Sequence, residues 1–131
     1  MPAMRCFLVL FAFVVLAAPA QAEVVPFQLG GARHPKRKVV DLPAKTRKVR
    51  ISFASTACRT DDSGDGVDHI AVNRHLGAVV ITVHLREFSA PYGTVCPALA
   101  FIVTREVKLK GRLGTRKLKD GSSDPPRLVA R

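Results

Sequence analysis

What most constrains this chain is hydrophobic alternation with a period of two. In Lys48–Cys58, the residues Val49, Ile51, Phe53 and Ala57 share one side, while Arg50, Ser52 and Thr56 share the other. Ala78–Glu87 repeats the pattern, setting Val79, Ile81, Val83 and Leu85 against Val80, Thr82, His84 and Arg86. A third run aligns Phe101, Val103, Val107 and Leu109 but places Arg105 among them, the mark of a sheet edge or a bulge. Successive side chains of a strand point to opposite faces, so each run reads as a strand buried on one face. Shorter candidates are Val24–Phe27, Lys38–Asp41, Asp68–Asn73 and Thr115–Leu118. No window carries helical spacing, and β-branched residues crowd the runs. Turn residues punctuate them at Gly30-Gly31, Pro43, Gly64 to Gly66, Gly77, Pro91 to Gly93, Gly111, Gly114 and Gly121. The expected fold is all-β: a small antiparallel sandwich or partly open barrel of six or seven strands.

The ends bound the domain. Residues 1–22 combine a basic start at Arg5, an apolar run from Cys6 to Ala18, and the small-residue signature Ala20-Gln21-Ala22. The run is short for a bilayer span, so it reads as a cleavable secretory signal, and the protein is expected outside the cell or on its envelope. No transmembrane span is expected after cleavage, and no cysteine stands at Glu23 to carry a lipid anchor. Residues 23–121 then form one β domain, and 122–131, with Pro125-Pro126, a loose tail. Cys6 leaves with the signal. Cys58 and Cys96 remain and are expected to form one structural disulfide, since no close C-x-x-C spacing suggests redox work. Closing that loop would contribute about 4 kcal/mol in the chain-entropy picture.

Charge is the second strong signal. The chain has 21 Lys and Arg against 10 Asp and Glu, a formal net charge of +11. One basic run holds Arg33, Lys36, Arg37, Lys38, Lys45, Arg47, Lys48 and Arg50; the other holds Arg105, Lys108, Lys110, Arg112, Arg116, Lys117 and Lys119. If both fold onto one face, they make a surface that gathers anionic envelope polymers, lipid head groups or nucleic acid by counterion release. Otherwise they are a solvated coat that favours solubility. The chain has no Trp and one Tyr, Tyr92, too little for a base-stacking platform or a sugar-stacking lectin. Sequence-specific nucleic-acid binding is therefore not expected.

Two other clusters bear on metals and catalysis. Asp61, Ser63, Asp65 and Gly66 match positions 1, 3, 5 and 6 of a calcium loop. Its twelfth position is Val72 instead of a glutamate, so the stretch reads first as a glycine-rich turn, with Asp68 as an optional weak calcium ligand. In a hairpin joining Asp68–Asn73 to the Val79 strand, core pairing sets Ile70 opposite Ile81 or Val83. His69 then faces Thr82 or His84, and the second register makes the imidazoles neighbours within reach of one transition ion. Asp68 and His69 adjoin along a strand and are expected on opposite faces, which rules out an orienting pair. There is no G-x-S-x-G elbow and no H-E-x-x-H helix, and nothing brings Glu87 and Glu106 together.

The stretch from Val107 to Gly121 resembles a group of small exported β-rich proteins of actinobacteria, in which a V-x-L strand precedes Pro-Leu-Gly-x-Arg and then Asp-Gly. Val107, Leu109, Leu113, Gly114, Arg116, Asp120 and Gly121 fit, while Arg112 stands where that group usually has proline. The upstream order of cysteine, Asp-His, valine-rich strand and second cysteine is similar too, so the resemblance spans residues 49–121. It implies export and a β fold, and carries no catalytic residue. The expectation is a non-catalytic exported β domain without a cofactor, in binding or envelope structure. Polyanion binding through the basic runs and a metal site or metal-dependent enzyme at His69 and His84 are its rivals.

Overall fold

The computed structural model describes residues 23–31, 38–55, 66–86 and 100–131. The leader, Cys58 and Cys96, the loop residues Asp61, Ser63 and Asp65, and the cations Arg33, Lys36 and Arg37 lie outside them. The fold is all-β, and no helix occurs among the described residues, so none is long and apolar enough to cross a membrane.

Three strands build one sheet. β2 (Phe27–Leu29), β3 (Lys48–Ser55) and β6 (Phe101–Lys108) pair antiparallel in that order. The alternation read from the sequence sets the register: Phe27 faces Phe53, and Val49 faces Val107. Phe27, Leu29, Val49, Ile51, Phe53, Val103 and Val107 are buried on the shared side. Arg105 sits opposite fully buried Ile51 yet is exposed. The β3–β6 ladder runs without a register shift, so among the described residues Arg105 marks an edge strand and no bulge.

The second sheet is organised around β5 (Ala78–Leu85). Its inward series Val79, Ile81, Val83 and Leu85 is buried, and its outward series is half-buried. β4 (Val67–Arg74) lies antiparallel along one edge. The other edge is shared: β1 (Val24–Val25) covers Val83–His84, and β7 (Lys117–Asp120) runs parallel to Ala78–Ile81. β8 (Arg127–Ala130) completes the sheet antiparallel to β7. A parallel neighbour needs a long crossover, which the chain makes by passing through β6 of the other sheet. Pro26 separates β1 from β2, so one short segment changes sheets there. One continuous core draws on both sheets, with Leu109, Leu113 and Leu118 fully enclosed.

Four expectations change, and the first is that six or seven antiparallel strands become eight among the described residues, with β5 and β7 parallel. The run Lys38–Asp41 contributes only an isolated bridge, Val40 with Ala130. The strand expected at Thr115–Leu118 falls at Lys117–Asp120. The tail expected to be loose instead contains β8, with Val129 and Ala130 buried and Val40 and Leu42 hydrogen-bonded to its end. The prolines at 125 and 126 mask the apolar Leu128-Val129-Ala130 that follows them.

Asp120 anchors this end. Fully buried, it accepts hydrogen bonds from the Phe27 and Ser122 N–H groups at 3.2 and 2.9 Å and pairs with Arg127 at 3.0 Å. Arg127 also donates to the Phe27 carbonyl, so the start of β2, the end of β7 and the start of β8 meet at one carboxylate. Gly121 follows because β5 leaves no room: a Cβ there would overlap the Thr82 hydroxyl and touch Val80.

Candidate functional site

The β3–β6 ladder joins the two basic runs. Lys48 is the direct cross-strand partner of Lys108, and Arg50 that of Glu106. Beyond the ladder the same two segments stay knitted. Leu109, Leu113 and Gly114 donate their N–H groups to the carbonyls of Arg47, Thr46 and Ala44. The loop turns tightly at Lys110, with φ 58°, and at Gly111. Residues 44–50 therefore lie against residues 106–114, and Lys45, Arg47, Lys48, Arg50, Lys108, Lys110 and Arg112 are all exposed.

The local balance is cationic. Glu106 is the one carboxylate in these segments, and its Oε1 is held by Lys48 Nζ at 3.0 Å. Among the described residues the other six cations have no ion-pair partner. Beside them runs a groove of about 300 Å³, with Leu29, Val40, Leu42 and Val49 as its apolar floor and Lys48 and Arg50 at its rim.

Other basic residues do different work. Arg74 reaches across from β4 and donates to the carbonyls of Leu109 and Arg112 at 2.8 and 2.9 Å, which fixes the loop that displays Lys110 and Arg112. Arg116 Nε donates to the His75 carbonyl at 3.0 Å. Lys117 and Lys119 pair with Ala78 and Val80 on the five-stranded sheet and not with β3. Lys38 lines a separate cleft between β2 and β8 with Arg127.

The histidines take the second of the two registers. His69 is paired with His84, and Ile70 with Val83. Their rings stack with centroids 4.2 Å apart and planes inclined by 12°. The expectation that Asp68 and His69 point apart is wrong. The register shifts between Val67 and His69, which leaves Asp68 as an extra residue without a β5 partner. Such a bulge turns two consecutive side chains toward the same side. Asp68 Oδ2 accordingly lies 2.6 Å from His69 Nδ1. Alternation alone hides this pair, because one added residue reverses the parity on which the inference rests. Among the described residues no three His, Cys, Asp or Glu side chains are grouped to hold a metal ion. Comparison with family models, with curated proteins and with solved structures finds no match, so the reading of this chain rests on its own geometry.

Proposed function

We propose that this chain is an exported, non-catalytic β domain that binds linear polyanions through the cationic surface built by residues 44–50 and 106–114. One observation carries the reading: two basic runs far apart in sequence meet along β3–β6, with a single carboxylate between them. Export rests on the leader read in residues 1–22, and the lack of catalysis on the missing nucleophile and zinc motifs. The Cys58–Cys96 disulfide belongs to the same reading.

Magnitudes favour a polymer over a small anion. One exposed charge pair at 4 Å in water contributes about 1 kcal/mol. Salt screens interactions beyond about 8 Å at physiological ionic strength. A small anion satisfies one or two such contacts, whereas a polymer engages several and releases counterions at each. Envelope polymers rich in phosphate or carboxylate are the fitting class for an exported protein.

The test is retention of the full chain on an immobilised polyphosphate across a salt series. The parent is expected to elute late, with a steep dependence on salt. Reversing Lys45, Arg47 and Lys48, or Lys108, Lys110 and Arg112, to glutamate should each lower the salt slope by about one unit per lost contact. Reversing Lys117 and Lys119 should change it little. Equal losses from all three sets would show a general charge effect and sink the proposal.

A further inference from the structure

The groove beside the cationic surface lies at a seam between the two sheets. Leu29 and Val49 belong to the three-stranded sheet and are buried at its floor. Val40 and Leu42 line it from a segment tied to the other sheet. The Val40 N–H donates to the Val129 carbonyl at 3.2 Å, that of Leu42 to the Arg131 carbonyl at 2.9 Å, and that of Arg131 back to Val40 at 3.0 Å. On the strand side Gly30, with φ 100°, adds no side chain. Its N–H donates to the Arg50 carbonyl, and its own carbonyl accepts from Ser52 Oγ at 2.6 Å. Both sides are pinned by hydrogen bonds, so the groove is formed before any ligand arrives. Its volume of about 300 Å³ stands at the lower end of the range of small-molecule sites, about 300–1,000 Å³.

We propose that this groove takes the hydrocarbon chain of a lipid phosphate, with the phosphate held at the mouth by Arg50 and Lys48. The inference rests on the polyanion reading for its charged half, since the rim cations belong to that surface, and it adds an apolar half. Arg50 has no ion-pair partner among the described residues. Lys48 is held by Glu106, but an ammonium group has three donors and keeps two for a ligand. Long basic side chains lay their methylenes along apolar surface and keep the charge in water, which sets both cations over a dry floor. Recession decides between one lipid and a membrane surface. A face that docks on a bilayer pushes its apolar residues into the lipid. Leu29 and Val49 instead lie buried at the bottom of a groove, so the chain must leave the bilayer and come to them.

The test is a methyl chemical-shift titration of the full exported chain with alkyl phosphates of increasing chain length, each kept below its micelle concentration. The methyl groups of Leu29, Val40, Leu42 and Val49 should shift together. Affinity should rise by up to about fourfold per methylene until the groove is full, then level off. Octyl glucoside carries a chain without charge and should bind about tenfold more weakly than octyl phosphate, for want of the charge contacts. Leu42→Trp narrows the groove at constant charge. It should abolish the dependence on chain length and leave polyphosphate retention unaltered. Backbone amide spectra show whether that variant keeps its strands, and the chain-length series on the parent stands without it. Equal affinity at every chain length, unmoved groove methyls, or glucoside binding as tightly as phosphate would overturn the inference, whether or not polyphosphate is retained. Chain-length dependence without polyphosphate retention would uphold the groove and remove the polymer reading.

Discussion

Asp120 and Asp68 are both aspartates at a strand end, and the fold uses them in opposite ways. Asp120 is fully buried, and three groups donate to it: two backbone N–H groups and one guanidinium. Asp68 is half-exposed, and its carboxylate is engaged by one imidazole. The same division separates Arg74, whose guanidinium is fixed to two carbonyls, from Arg112, whose exposed side chain has no ion-pair partner among the described residues. A charge that closes the chain on itself is unavailable for a ligand, and a charge held at the surface contributes little to stability. Charge counts alone do not separate the two.

The contrast has measurable consequences. Asp120→Ala should cost about 3–5 kcal/mol in denaturant unfolding, because it strands buried donors and frees Arg127. Such a loss is a large share of a small domain's stability. Gly121→Ala should cost about 1–3 kcal/mol by forcing β7 away from Thr82. Arg74→Met should cost about 1–3 kcal/mol, since two carbonyls lose their donor. Arg112→Met should stay within about 0.5 kcal/mol of the parent while weakening polyanion retention. Asp68→Asn should also be small, at most about 1 kcal/mol, as for exposed ion pairs generally. If Arg74 and Arg112 proved equally costly, the division between structural and displayed cations would fail.

Much of this was legible from residue order. Period two gave the buried series of β3 and β5, because those strands have one wet and one dry side. It also marked Arg105 as an edge or a bulge, and the unshifted β3–β6 ladder decides for the edge. The bulge was illegible, since an extra residue changes parity without changing composition. β8 is hidden because four residues are too few for a pattern, and one of its partners, Val40, is distant in sequence. The Val107–Gly121 motif was visible as a resemblance, but its meaning is structural. Val107, Leu109 and Leu113 fill the core, Gly114 has φ 66°, Arg116 holds His75, Asp120 anchors three strands, and Gly121 clears β5. That the basic runs converge follows from the β3–β6 pairing, which no local window shows.

The most direct test of that convergence is an amide chemical-shift titration of the full chain with polyphosphate at physiological salt. The account expects residues 45–50 and 108–112 to shift together along one binding curve, while Lys117, Lys119 and the His69–His84 pair stay still. Shifts spread over every exposed lysine and arginine, or confined to one of the two runs, would contradict it.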